Sequence, residues 1–327
     1  MFLCEIHYIW GKFNKNSPMA ALGKRIFKNT SFSFQLFMLF LIVILGINLG
    51  YSLFWGFLWV KNGFSPEIVD ELLRNVGENA QLMRLSLFFQ TVCGFFFPAL
   101  IFARFFSNDI KEYLHTEKGI SGSVIVLTIL SIILTLPVLN VIVHFTQQIS
   151  LPESMKVIES KIIEWENQAQ HLSEAMLITD KYAAFLMNLL IVAVLAAVGE
   201  EFLFRGILQN IFGKVFKNPH VVIWTVAFIF SLVHLQFYGF FARILLGAYL
   251  GYLLFYSKSI WLPVLAHFTN NAIGVINYYS IREPETLKEI DQIGVGSTYW
   301  VSLVSLILFS VTFAFLIKKC KSQNFSS

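Results

Sequence analysis

About eight long apolar stretches constrain this chain more than any other feature. A helix that crosses a bilayer needs about 20 predominantly apolar residues, and its backbone polar groups must be satisfied within the segment. Runs of this kind recur near residues 33–60, 85–106, 123–146, 182–204, 220–237, 239–257, 259–279 and 298–317. The spacing predicts an all-α fold, a polytopic membrane helix bundle with about eight transmembrane helices. Of the 327 residues, 56% are hydrophobic and only 13% are charged, against about 25% charged in a soluble domain. The net charge of +4 is too small to indicate a nucleic-acid partner. Cys4, Cys93 and Cys320 show no paired spacing, so they predict neither a disulfide framework nor a thiolate metal site.

Lys and Arg in the loops set the expected orientation. Counting alternate connections, the side that carries both termini holds roughly twice as many basic residues as the other, which predicts cytoplasmic N- and C-termini. Residues 1–32 are expected to form a cytoplasmic N-terminal segment, with Met1 and Met19 as alternative starts. Residues 33–181 are expected to form N-terminal membrane helices joined by an amphipathic connecting segment, 150–181. In that segment Ile158, Ile162, Trp165, Ala169 and Leu172 recur at helical spacing. They predict a helix lying on the membrane or covering the bundle, a solvated linker helix being the alternative. Residues 182–280 are expected to form the tightly packed part of the bundle, and 281–327 a loop, last span and cytoplasmic tail. Small residues cluster in that tightly packed stretch (Ala193, Ala196, Ala197, Gly199, Gly247, Ala248, Gly251), where they let membrane helices pack closely.

Three polar constellations interrupt the apolar runs. Glu200 and Glu201 sit beside Arg205 at the end of the fourth span. An intramembrane ionisable residue is costly and points to function. Glu201 and Arg205 are four apart and share a helix face, which makes an ion pair available to them. Glu200 projects about 100° away and lacks that partner. A carboxyl group so placed suits general-base chemistry. Alternatively, the pair is an anchor at the membrane boundary. In the fifth span, Phe230 and His234 stand four apart; a lone His there is more often a satisfied core group than a catalytic one. In the seventh, His267 and Asn271 share one stripe, where interhelical hydrogen bonding is the plain alternative. Arg243 also lies within a span.

Together these motifs resemble the CAAX prenyl protease and bacteriocin-processing (CPBP, Abi) family, which includes the Ras-converting prenyl endopeptidase. The family pattern is Glu-Glu-x-x-x-Arg, Phe-x-x-x-His and His-x-x-x-Asn/Asp on successive membrane helices. It stands here as Glu200-Glu201-x-x-x-Arg205, Phe230-x-x-x-His234 and His267-x-x-x-Asn271. The resemblance implies an intramembrane glutamic endopeptidase, often described as a metalloendopeptidase, that takes part in CAAX-box protein processing. It implies that Glu200 and His234 activate a water, and that His267 and Asn271 donate to the oxyanion. Glu201, Arg205 and Phe230 would support them. No cofactor is expected. A His₂Glu zinc site is the disfavoured alternative, since there is no His-Glu-x-x-His and Asn271 suits an oxyanion donor better than a zinc ligand. The expected partners are the lipid bilayer and a peptide or membrane-protein substrate, CaaX-type or other. A bacterial cytoplasmic membrane is the expected location. A non-catalytic immunity or scaffold role within the same family is the competing reading. A transporter is disfavoured, because no paired broken spans occur in both halves.

Overall fold

A computed structural model describes residues 30–63 and 79–325, together with Phe27 and Ser65, and for 324 and 325 the backbone only. The expectations about Met1, Met19, the basic residues before Phe27 and Lys28 lie outside the described residues. So does Arg74, which entered the charge comparison.

Every expected apolar run coincides with a helix, although the run expected over 220–237 is helical only to Leu232, which leaves His234 in the turn beyond it. The elements are α1 (Phe32–Lys61), α2 (Ala80–Phe106), α3 (Gly122–Gln147), α4 (Lys156–Leu177), α5 (Tyr182–Gly213) and α6 (Pro219–Leu232), followed by α7 (Phe240–Ser257), α8 (Trp261–Ile281), α9 (Pro284–Asp291) and α10 (Tyr299–Phe325). No strand occurs among the described residues. Among the described residues, six helices are long and apolar enough to cross a membrane: α1, α2, α3, α5, α7 and α10 with the turn before it. The two remaining expected spans are α6, with 14 residues, and α8, with 21. α6 is apolar but short and leads into the turn that carries His234, whereas α8 carries the polar His267, Thr269, Asn270 and Asn271. The chain is thus an all-α polytopic bundle and an integral membrane protein.

Local chemistry sets the ends. Ser31 and Asn79 accept from backbone N–H groups in the first turns of α1 and α2. Asn218 does the same for α6, with Pro219 at its first position. These caps satisfy donors that a helix start leaves unpaired. α6 is unusually short. At 1.5 Å per residue it rises about 21 Å, less than the roughly 30 Å of a bilayer core. The turn after it, with His234, therefore stops at membrane depth.

The core sits around the second half of α5. Phe202–Phe212 pack against Ala99, Phe102 and Phe106 of α2, Val226 and Phe230 of α6, and Val264 of α8. A second cluster joins α3, α7, α8 and α10 through Ile132, Leu250, Leu262 and Leu316. The outer faces of α1, α3 and α10 leave large apolar side chains exposed, among them Phe40, Val126 and Leu303, as lipid contact requires.

α4 covers the bundle, one of the arrangements expected for it. Of its apolar stripe, Ile158, Trp165 and Leu172 are exposed. Ile162 and Ala169 turn inward together with Glu166 and Ser173. α4 packs on α2, α5 and α8, and its Gln170 Nε2 donates to Tyr278 Oη at 3.2 Å. It covers the bundle with a mixed face, and its apolar stripe is divided between the two sides.

Candidate active site

α5 brings the two carboxylates to the centre. It is not uniform: π-helical segments Leu189–Leu195 and Phe202–Leu208 flank the α-helical Ala196–Glu201. Each π-bulge shifts the side-chain register and frees backbone groups, a frequent feature of functional sites. Gly199 fits this approach. A Cβ there would lie 3.1 Å from the Phe95 Cβ of α2, so glycine lets the two helices close behind Glu200.

Glu201 and Arg205 form the expected ion pair. Arg205 Nη1 donates to Glu201 Oε1 at 2.8 Å, and both side chains are fully buried. The same oxygen takes a second bond, 2.8 Å from His267 Nδ1. Arg205 Nη2 donates to the Gly247 carbonyl at 3.0 Å. Its guanidinium lies 4.5 Å from the centre of the Phe230 ring. Phe230 also meets both histidines edge-on, which fixes their ring planes. Glu201, Arg205 and Phe230 thus form one buried brace across α5, α6, α7 and α8.

Glu200 points elsewhere. Its Oε2 is buried without a hydrogen-bond partner. Two imidazole nitrogens face it: His234 Nε2 at 4.0 Å and His267 Nε2 at 3.9 Å. The tautomers follow from the second nitrogens. His234 Nδ1 lies 2.7 Å from the Phe230 carbonyl, which only accepts, so Nδ1 carries the proton. His267 Nδ1 faces the Glu201 carboxylate and must likewise donate. In the neutral rings, both Nε2 atoms are then acceptors turned toward a carboxylate oxygen. Each acceptor pair, set 3.9 or 4.0 Å apart, suits a donor that bridges the two.

Asn271 is partly committed. Its Nδ2 donates to the Val192 carbonyl at 3.0 Å, inside the first π-bulge of α5, and its Oδ1 accepts from Asn270 at 3.1 Å. One amide proton remains to spend. The structure thus gathers Glu200, His234 and His267 at one point. Glu201, Arg205 and Phe230 lie directly behind them, and Asn271 is linked to the helix that carries Glu200.

The depth match between helices has a simple origin. α5 runs on to Gly213, so Glu200 lies about 20 Å from that end. His234 lies about 22 Å from the start of α6, on the same side. The sequence leaves this open, because residues 206–213 are compatible with a helix without demanding one.

Sequence reasoning missed four contributors. The Gly247 and Val192 carbonyls are backbone acceptors without a sequence signature. Gln236 Oε1 accepts from Arg243 Nη2 at 2.7 Å, and Glu166 Oε1 accepts from the Tyr238 N–H at 3.0 Å. Arg243 was visible as a charge within an apolar run; nothing in the sequence placed it beside the His234 turn.

A zinc ion is the group to test against this donor set. Ligands around a tetrahedral zinc at about 2.0–2.1 Å stand about 3.3 Å apart. The facing nitrogens here stand 3.9 and 4.0 Å from the carboxylate oxygen. No group of three or more His, Cys, Asp or Glu among the described residues is placed to hold a metal ion. The donors do not fit zinc as they stand.

The chain matches no curated protein and no solved structure. Residues 182–273 match the family described as type II CAAX prenyl endopeptidase Rce1-like. That stretch holds the carboxylates, both histidines and Asn271. Over residues 182–273, from α5 into α8, the chain is similar to the Rce1-like CAAX proteases, a peptidase family.

Proposed function

We propose that the protein is an intramembrane glutamic endopeptidase that hydrolyses a peptide bond of a membrane-associated substrate, CaaX-type or other. The observation that carries this reading is the unpartnered Glu200 Oε2 faced by two imidazole nitrogens at 3.9 and 4.0 Å. Each of these gaps is wide enough for a water that bridges the Glu200 oxygen to the imidazole across from it. Glu200 and His234 take a proton from that water as it attacks the scissile carbonyl. The C–O bond forms and the carbonyl oxygen becomes an oxyanion. The free amide proton of Asn271 donates to it, and so does His267 when its ring is protonated, a state that Glu201 stabilises. Collapse breaks the C–N bond, and the departing amine takes the proton that Glu200 and His234 hold. Glu201, Arg205 and Phe230 position the rings. Each step uses side chains of this chain alone, and the reading needs no metal.

The same reading extends to topology and organisation. Residues 182–280 are the catalytic domain, residues 33–181 supply flanking helices and the α4 cover, and both termini face the cytoplasm, in a bacterial cytoplasmic membrane. The roughly twofold excess of Lys and Arg on that side supports the orientation.

The test is cleavage by the purified protein in nanodiscs of a prenylated CaaX peptide and of a hydrophobic peptide library. Glu200→Gln and His234→Ala are each expected to remove cleavage while retaining the melting temperature. Cleavage by Glu200→Gln at the parent rate overturns the assignment of the base.

A further inference from the structure

Arg243 is a charge that the mechanism above does not use. It lies in the first turn of α7, next to the turn that carries His234. One nitrogen, Nη2, donates to Gln236 Oε1 at 2.7 Å. The other, Nη1, is buried and has no hydrogen-bond partner. No carboxylate lies within ion-pair distance of Arg243 among the described residues, although the charges of Glu166 and Glu200 both reach it. Glu166 spends an oxygen on the Tyr238 N–H. Its position is constrained: a Cβ on Gly239 would lie 2.8 Å from Nη2, so glycine makes room for the fork.

A buried guanidinium donor without an acceptor is expensive. At membrane depth such a group is retained for function. Bracing the turn accounts for the nitrogen bound to Gln236. It leaves the second nitrogen without a purpose. The fork is held by Gln236, two residues from His234, so its free N–H is buried beside that turn. A planar guanidinium fork suits an oxyanion or a carboxylate.

We propose that Arg243 is a substrate-contacting residue, whose free Nη1–H donates to an anionic oxygen of the bound peptide. This rests on the endopeptidase reading of the same site and deepens it. Two sources share the chemistry: the C-terminal carboxylate of a substrate cut near its end, and the oxyanion formed at the scissile carbonyl. The first makes Arg243 a specificity residue that measures the distance from cleavage site to C-terminus. The second adds a donor to those of His267 and Asn271.

Three probes separate them without requiring turnover. One is a prenylated CaaX peptide with a free C-terminal acid. The second is the same peptide as its C-terminal amide. The third is the amide with a phosphonamidate in place of the scissile bond. Binding is measured by fluorescence anisotropy in nanodiscs, with Glu200→Gln as the background for the two cleavable peptides. With a carboxylate partner, Arg243→Gln weakens the free acid by about 10–100-fold and leaves the other two unchanged. With the scissile oxyanion, it weakens the phosphonamidate by a similar factor and spares the acid–amide pair. Arg243→Lys retains the charge without the fork and is expected to lose part of either effect. It serves as the test if Arg243→Gln melts early. Equal affinity of all three probes for the parent and the Arg243 variants overturns the proposal. Cleavage surviving in Glu200→Gln overturns the base assignment instead, and the binding comparison still reads Arg243.

Discussion

Replacing Glu201 by Gln removes one negative charge from the most enclosed part of the molecule and leaves its shape almost unchanged. Glu201 Oε1 receives two bonds of 2.8 Å, from Arg205 Nη1 and His267 Nδ1. Both Glu201 and Arg205 have no exposed side-chain surface, and His267 retains 6%. After the substitution the guanidinium keeps its bond to the Gly247 carbonyl, which carries no charge. Removing one partner of a buried pair costs about 3–5 kcal/mol, because the surviving charge has lost its counter-ion. With roughly 2 °C of melting temperature per kcal/mol, the low end of the range and apt for a chain of this size, the loss is about 6–10 °C. Differential scanning fluorimetry in detergent micelles measures it. The double variant Glu201→Gln/Arg205→Met removes both charges. It is expected to recover much of the loss, since apolar replacement of a whole buried pair is often neutral. Glu201→Gln melting within about 1 °C of the parent, or a double variant less stable than the sum of its singles, refutes the role of this pair as a mutually dependent brace.

Further outcomes are as definite. Gly46→Ala places a Cβ 2.1 Å from the Cys93 carbonyl oxygen of α2, whereas Gly56→Ala meets nothing within 4 Å. The first should destabilise by about 1–3 kcal/mol and the second by less than 1, read as melting temperatures. His115, in the connection between α2 and α3, is partly buried, and loss of hydration holds its imidazole below the usual histidine range, opposed by Asn210 and Glu112 and reinforced by Lys258. Its folded form therefore binds protons less readily than its unfolded form. Its contribution to stability is complete above about pH 6.5 and fades as pH falls through the lower folded value. His115→Gln is expected to flatten the drop in melting temperature between pH 7.5 and 5; an unchanged drop excludes His115 as its source. Dialysis against EDTA is expected to leave cleavage unaltered, and activity lost to EDTA and restored by zinc would falsify the metal-free mechanism.

Much of the architecture was legible in the sequence because bilayer helices are long, apolar and locally determined. α1, α3 and α10 match their expected runs to within a few residues at most of their ends, since no tertiary contact is needed to decide that such segments are helical. The candidate site residues stood out for the opposite reason: Glu200, Glu201, Arg205, His234 and His267 are polar where polarity is costly. α4 was less legible. Its periodicity marked a helix, yet its stripe is divided between inside and outside, because the helix also answers to Tyr238 and Tyr278, far away in sequence.

By itself, the order of residues determined that this chain spans a membrane as helices, and which few polar side chains must share a purpose inside it. Apolar length and the cost of buried charge act locally, so they can be read without coordinates. Only the folded bundle decided which atoms meet. The π-bulges of α5, the shortness of α6 and the fork of Arg243 against Gln236 are set by packing between helices. A carboxylate oxygen finds two imidazoles, or a guanidinium is left with a free donor, only once those helices have closed on one another.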